Sequence, residues 1–213
     1  MKQKLTQIRK PKGRLPAGRS AVHTLLILAL GACLGLVSKW MDTFPELPAF
    51  LERLDLTNFM GRLAVWLAIA LCVAVFSRSA GWAALNVFVF FAGMVCAYYL
   101  YSRLAAGFFP RDYAMIWAAL TAASPLFAAV AWYARGRGWA AAVVSGLILG
   151  GLAWTTVHMD PTYISITSPL DLVMVLAGAA VLWRKRAIEA LTMLGVGILT
   201  LLVLQNTLPF AIG

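Results

Sequence analysis

The chain has 213 residues, of which 62% are hydrophobic and only 12% are charged, and its net charge is +10. A soluble domain has about 25% charged residues, so this composition excludes a single water-soluble globule and indicates a chain that folds in lipid. Because the basic residues alternate with long apolar runs, they are interpreted as topology signals, and no nucleic-acid partner is expected.

Seven apolar runs follow one another along the chain. They cover residues 21–38, 60–77, 82–102, 113–134, 139–157, 168–183 and 187–207. Lipid requires every backbone polar group to be paired internally, so each run is predicted to be a helix. The run at 168–183 is short, which leaves six full crossings as an alternative to seven. The predicted fold is an all-α, polytopic transmembrane helix bundle, with residues 21–213 forming a single domain.

Basic residues are concentrated in the N-terminal segment and in the turns after the second, fourth and sixth runs. Residues 1–20 are predicted to form a basic tail, and the turns contain Arg78, then Arg135 and Arg137, then residues 184–186. Since loops rich in Lys and Arg stay in the cytoplasm, the N-terminus is predicted to be cytoplasmic. The C-terminus is then outside if there are seven spans. The tail is also expected to bind anionic lipids.

The loop after the first run carries an apolar stripe. Its members are spaced i, i+3, i+4 and i+7, and they are Leu47, Phe50, Leu51 and Leu54. This spacing predicts an amphipathic helix at about residues 46–56, on the outer leaflet or over the mouth of the bundle. A connector with no further role is the simpler interpretation.

Two of the basic turns are similar in sequence. FSRSAGWAA covers residues 76–84, and YARGRGWAA covers residues 133–141. Parallel hairpin repeats, as in some transporter folds, are one explanation. The favoured explanation is that short cytoplasmic turns independently select Arg, Gly and an interfacial Trp.

Small residues predict where helices pack closely. Gly31 and Gly35 in the first run, and Gly146 and Gly150 in the fifth, have the spacing that lets two helices approach.

The fourth run contains a proline near its middle. Pro125 is predicted to free a carbonyl in the fourth run, which nearby hydroxyl groups then re-satisfy.

No pattern of a catalytic or metal site is found in the sequence. The motifs HExxH, GxSxG, CxxC and the P-loop are absent, and His158 with Asp160 supplies only part of the three or four ligands that a metal needs. Asp171 and Glu189 are predicted at opposite membrane faces, where they cannot form an acid–base pair. The chain is expected not to be an enzyme and to bind no metal and no cofactor.

Aromatic and basic residues are concentrated around the loop after the third run. Two arginines on the otherwise acidic outer side are suited to hold a carboxylate, a phosphate or a lipid headgroup between aromatic walls. The predicted ligand-binding residues are Asn86, Tyr98, Tyr99, Arg103, Phe109, Arg111, Tyr113 and Trp117. An aromatic belt without a ligand is the alternative, because Tyr and Trp collect at membrane interfaces. For Asn86, the alternative to ligand binding is a structural role, in which its side chain forms a hydrogen bond to a neighbouring helix.

The same region resembles a known group of proteins. NVFVFFAGMVCAYYLYSRLAAGFFPRDYAMIW and SPLFAAVAWYARGRG resemble a family of small bacterial integral membrane proteins without an assigned activity, over roughly residues 61–140. The resemblance implies a location in the bacterial cytoplasmic membrane. It also draws attention to Asn86, Tyr98, Tyr99, Pro110, Tyr113 and Pro125.

Two functions fit these expectations. The first is binding or transport of a small solute or lipid from the outer face. The alternative is a non-catalytic interaction or scaffold subunit, in which the basic tail and the small-residue helix faces contact a protein partner in a membrane complex.

Overall fold

The computed structural model describes residues 8–13, 16–43, 52–105, 107–159 and 162–208. The helices are α1 (Ala17–Thr43), α2 (Leu56–Gly61), α3 (Leu63–Phe76), α4 (Ala80–Leu104), α5 (Arg111–Ala134), α6 (Trp139–Trp154), α7 (Pro169–Leu182) and α8 (Ala187–Thr207). Two short strands, β1 (Val157–Met159) and β2 (Ile164–Ile166), lie between α6 and α7. Each of the seven predicted apolar runs is mainly helical, which confirms the helical fold.

Four of the described helices, α1, α4, α5 and α8, are long and apolar enough to cross a membrane. This identifies the chain as a membrane protein. Three further apolar helices are shorter, with 14 residues in α3, 16 in α6 and 14 in α7. At about 1.5 Å per residue, each falls short of a hydrocarbon core about 30 Å thick.

The second predicted run, residues 60–77, is not continuous in the structure. Its first residues belong to α2, and the chain then breaks at Arg62, whose backbone is extended with φ −84° and ψ 155°. The side chain of Arg62 is held by Asp171, with 2.6 Å between Nε and Oδ2. The break lies at the start of the predicted run, and α3 forms the rest of it. Hydropathy does not register a break that is stabilised by an ion pair.

The connection between α6 and α7 forms a small antiparallel hairpin that the sequence did not predict. Val157 pairs with Ile166, and Met159 pairs with Ile164. Each strand has three residues, too few for an alternating pattern to stand out beside the apolar runs. Gln205 of α8 donates a hydrogen bond of 2.5 Å to the Val157 carbonyl and fixes the hairpin to the bundle.

The effect predicted for Pro125 is confirmed. Pro125 lies inside α5 and has no N–H to donate to the carbonyl of Thr121, four residues earlier. The hydroxyl of Ser124 donates to that carbonyl instead, at 2.8 Å. The helix therefore continues through the proline to Ala134.

The short helix α3 lies at the centre of the bundle. Trp66 belongs to one buried cluster, which includes Phe90 of α4 and Trp132 of α5. Leu71, more than one turn further along α3, belongs to a second cluster shared with α6, α7 and α8. A helix surrounded by other helices in this way does not need the full length of a lipid-exposed span.

One end of the bundle is built from the basic segments and is called the basic end. Residues 8–13, called the N-terminal strap, lie across it, because Arg137 N–H donates to the Ile8 carbonyl at 2.8 Å. The Arg9 guanidinium donates to the carbonyls of Val75 and Trp132, at 2.8 and 2.5 Å, near the ends of α3 and α5. These carbonyls lack helical partners, so the strap acts as a cap.

The turn after α7 is fixed to the same end. Arg184 is buried, and its guanidinium donates to the carbonyls of Ala134 and Gly136 and forms an ion pair of 3.3 Å with Glu189. The basic segments predicted to share one side of the membrane therefore meet in the structure. The N-terminal segment differs from the predicted tail of residues 1–20, because residues 8–13 pack on the bundle and α1 begins at Ala17.

Several sequence predictions lie outside the described residues. They concern residues 1–7 and Arg14 of the tail, residues 46–51 of the amphipathic outer helix, and Asp160 of the HxD pair. Within the described part of that helix, Glu52 and Arg53 are helical.

Candidate functional site

A cavity of about 540 Å³ lies at the basic end, between α1, α3 and α4. Three helices, the turn after α3 and the strap supply its walls. The lining residues are Lys12, Arg19, Ser20, His23, Thr24, Ile27, Val73, Phe76, Ser77, Arg78, Trp82 and Asn86. Helical spacing explains the α1 wall, because Ser20, His23, Thr24 and Ile27 follow i, i+3, i+4 and i+7 and so share one face.

A chain of hydrogen bonds crosses the floor of the cavity. The Thr24 hydroxyl donates to Asn86 Oδ1 at 3.0 Å, and Asn86 Nδ2 donates to the Ser77 hydroxyl at 3.1 Å. Ser77 in turn donates to the Val73 carbonyl at 2.7 Å. These bonds tie α1, α3 and α4 together, which confirms the structural interpretation of Asn86. The same bonds place polar atoms along the cavity wall.

The charges around the cavity have one sign. Lys12, Arg19 and Arg78 are the fully charged groups on its described lining, and that lining contains no carboxylate. Glu189 lies at the same end of the bundle but is paired with Arg184 at 3.3 Å and with Arg186 at 3.9 Å. Walls of low dielectric concentrate the field of like charges, so the cavity attracts anions.

The strap holds one of these cations in place. Lys12 N–H donates to the Arg78 carbonyl at 2.9 Å, and the Arg78 guanidinium donates to the Gly13 carbonyl. Arg9 stacks 4.3 Å from the centre of the Trp132 ring. Burial, and then the positive charge of Arg135, lower the pKa of the Arg9 guanidinium, which still stays charged at neutral pH.

The chain matches one protein-family model over most of its length. A model described as a family of unknown function (DUF6518) matches residues 15–210. The chain belongs to the DUF6518 family. The DUF6518 match includes every helix named above and confirms the resemblance to a family without an assigned activity. It begins after the strap, so it covers the cavity lining except Lys12. No curated protein and no solved structure matches the chain.

Three of the residues predicted at the outer mouth lie together at the end of the bundle opposite the basic end. The rings of Tyr98 and Tyr99 are 5.1 Å apart, and those of Tyr99 and Phe109 are 5.6 Å apart. The Tyr98 hydroxyl donates to Asp42 at 2.9 Å. The structure therefore brings the predicted aromatic walls together.

The cation at these walls is Lys39 of α1. Its ammonium lies 5.2 Å from the centre of the Tyr98 ring and 4.8 Å from that of Phe108. It is also 3.6 Å from an oxygen of Asp42, and Lys39 is only 7% exposed. Cation–π contacts of this kind stabilise the packing of α1 against the aromatic residues.

Of the remaining predicted residues, Tyr113 is close enough to Tyr98 and Tyr99 to interact with them electrostatically. Arg103, Arg111 and Tyr113 are exposed, and neither arginine forms an ion pair with another described residue. Trp117 packs against the buried cluster of α3, α4 and α5. Asn86 lies at the basic-end cavity, so the predicted set is divided between two ends of the molecule. A ligand site at Arg103 and Arg111 stays a prediction.

Sequence reasoning missed most of the cavity because its cations were interpreted only as topology signals. One signal was available in the first run, where Ser20, His23 and Thr24 form a polar stripe at helical spacing. A polar stripe on a membrane helix faces other helices or a water-filled cavity. The sequence did not show that Asn86 would meet this stripe.

Proposed function

We propose that the chain is an integral membrane protein that binds a small anionic group, of the phosphate or carboxylate class, in the basic-end cavity. One observation carries this proposal: Lys12, Arg19 and Arg78 converge on the cavity while its described lining contains no carboxylate. Charge-assisted hydrogen bonds from such groups are roughly twice as strong as neutral ones. The proposal moves the ligand from the outer face, where the aromatic residues had suggested it, to the basic end.

The polar floor gives the bound group a defined position. The Asn86 side chain donates a hydrogen bond to the Ser77 hydroxyl, which fixes both side chains within the wall. His23 and Arg19 lie on the exposed side of α1 and remain accessible to a ligand. The arrangement binds and orients an anion, and the described lining holds no carboxylate or thiol that would act on it chemically. We therefore propose a binding function without catalysis.

The proposed topology has seven spans, a cytoplasmic N-terminus and a location in the bacterial cytoplasmic membrane. Its support is that each short helix runs between the two ends of the bundle. The α3 helix, for example, follows Arg62, which is paired with Asp171, and ends just after Val75, whose carbonyl accepts a hydrogen bond from Arg9. A basic end on the cytoplasmic side follows the positive-inside rule.

Cysteine labelling is expected to place the two ends on opposite sides of the membrane. In a chain whose native Cys33, Cys72 and Cys96 are replaced by alanine, Arg111→Cys should react with an impermeant maleimide in intact spheroplasts. Lys185→Cys should react only after the membrane is permeabilised. Reaction of both variants in intact spheroplasts, or the reverse order, would contradict the proposed topology.

Removal of one cavity cation is expected to weaken anion binding about tenfold, the effect of losing one charge-assisted hydrogen bond. The purified chain would be titrated with glycerol phosphate and, separately, with phosphatidylglycerol, and binding would be followed by the tryptophan fluorescence, to which Trp82 in the cavity wall contributes. Arg19→Gln should weaken whichever of them binds. Lys185→Gln is the matched control, because Lys185 is exposed at the basic end but outside the cavity.

Two results would reject the anion site. One is that neither compound binds with saturation. The other is that Lys185→Gln weakens binding as much as Arg19→Gln, since the effect would then come from the general charge of the basic end.

A further inference from the structure

The cavity extends sideways between two helices that barely touch. In the described part of the chain α1 packs along α4, and α3 packs against α4, α5 and α7, whereas α1 and α3 have almost no direct packing. The cavity occupies the space between them, with Trp82 and Asn86 of α4 behind it. Phe76, at the end of the otherwise buried helix α3, lines the cavity and is 57% exposed, so the cavity reaches the outer surface of the bundle at this residue.

The strap borders the cavity at the basic end. Lys12 forms part of the lining, and Arg78 binds both Lys12 and Gly13 through its carbonyl and its guanidinium. The rest of the strap is anchored by Arg9 on α3 and α5.

The lining changes from polar to apolar with distance from the basic end. Lys12, Arg19 and Arg78 lie at the level of the strap, and Ile27 of α1 and Val73 of α3 lie further along their helices. Phe76 also lines the cavity and is 57% exposed, so this wall continues onto the outer surface of the bundle. A ligand that matches both parts has an anionic head and an apolar chain.

We propose that the ligand is an anionic phospholipid that enters sideways between α1 and α3. Its phosphate lies against the three cations, and its first acyl carbons lie along Phe76, Val73 and Ile27. This inference rests on the proposed anion-binding function and names the ligand of that site. It differs from general attraction of anionic lipids to a basic surface, because the lipid is held by a defined polar and apolar wall.

Native mass spectrometry of the full chain released from lipid nanodiscs tests the inference. The nanodiscs contain phosphatidylcholine with an increasing share of phosphatidylglycerol, and the bound lipid is identified and counted. Phosphatidylglycerol should be retained in a saturable manner and phosphatidylcholine should not. In detergent, the affinity of the native chain should rise from glycerol phosphate to dihexanoyl- and then to longer-chain phosphatidylglycerol, because each buried methylene adds to binding.

A variant of the apolar wall separates the lipid from its soluble headgroup. Phe76→Gln should weaken phosphatidylglycerol binding about tenfold, since it removes the apolar contact of one aromatic side chain. It should not weaken glycerol phosphate binding, because the Arg135 guanidinium, which lies 4.8 Å from the centre of the Phe76 ring, keeps its charge. Phe108→Gln is the matched control, because Phe108 is 51% exposed and lies at the opposite end. It should change neither affinity.

The outcomes distinguish this inference from the function on which it rests. Equal affinity for glycerol phosphate and for every phosphatidylglycerol, with no effect of Phe76→Gln, would overturn the lipid ligand and leave the anion site standing. Saturable retention of phosphatidylcholine at the same level would also overturn it. Binding of neither phosphatidylglycerol nor glycerol phosphate would remove both proposals.

Discussion

Asp171→Asn is expected to destabilise the protein by about 3–5 kcal/mol, the usual cost of removing one partner of a buried ion pair. Asp171 is fully buried in the first turn of α7, and its carboxylate lies 2.6 Å from Arg62 Nε. The substitution preserves the shape of the side chain but leaves the Arg62 guanidinium without its buried counter-charge. The free energy of unfolding would be measured in mixed micelles by tryptophan fluorescence.

The other contacts of Arg62 do not replace this one. Asp55 is 3.5 Å away, but its side chain is 51% exposed, where an ion pair contributes at most about 1 kcal/mol. Arg62 Nη2 and Asp171 Oδ1 also have no hydrogen-bond partner among the described residues. The pair is therefore incompletely satisfied, and its removal as a whole should cost much less than removal of one member.

A double substitution distinguishes a buried pair from two independent side chains. Arg62→Met with Asp171→Leu is expected to be more stable than Asp171→Asn alone, because no charge then stays buried. Arg103→Gln is the control, since Arg103 is exposed and has no ion pair with a described residue, and it should change the stability by less than about 0.5 kcal/mol. A double variant no more stable than Asp171→Asn would contradict the coupling.

The sequence predicted those features that depend on local composition. The positions of all seven apolar runs follow from hydropathy, and the meeting of the basic segments at one end follows from their alternation along the chain. The hydrogen bond from the Ser124 hydroxyl to the Thr121 carbonyl was also predictable. Pro125 leaves this carbonyl without a backbone donor, and both groups lie about one helical turn or less from Pro125. These effects need no knowledge of which helices are neighbours.

The features that the sequence did not predict depend on distant segments. Asp171 was predicted to lie at one membrane face, and only the packing of α3 against α7 makes it the partner of Arg62. The cavity likewise arises because α1 packs on α4 and not on α3. The aromatic residues at the end opposite the basic end were visible in the sequence as a concentration of Tyr and Phe, but the contact that Lys39 makes with them comes from another helix.

Gly31→Ala is expected to lower the stability of the protein by about 1–3 kcal/mol or more, as insertion of a methyl group into a packed contact does. A Cβ at Gly31 would overlap the backbone carbonyl of Phe90 in α4, which cannot rotate away. Gly93 of α4 makes the reciprocal contact, because its Cβ would lie 2.5 Å from the Leu28 carbonyl. These contacts confirm the predicted close approach at Gly31 and Gly35, and α6 and α8 repeat it at Gly146 and Gly150.

Gly195→Ala provides the matched control for the same chemical change. Gly195 lies in α8, and no atom of another segment lies within 4 Å of the position that a Cβ would take there. Alanine at this position should be neutral or slightly stabilising through its helix propensity. Unfolding of both variants in mixed micelles measures the difference. If Gly31→Ala behaved like Gly195→Ala, close packing of α1 on α4 would be refuted.

The same substitution links packing to ligand binding. Gly31 lies two turns from Thr24 on α1, and the Thr24–Asn86 hydrogen bond of 3.0 Å spans the α1–α4 interface. A wider interface at Gly31 should lengthen this bond and displace the wall that carries Ser20 and His23. Gly31→Ala is therefore expected to weaken binding in the cavity although position 31 does not line it, and Gly195→Ala should leave binding unchanged. Tryptophan fluorescence titration of the two folded variants with phosphatidylglycerol checks this, and equal affinities would show that the glycine contacts do not set the width of the cavity.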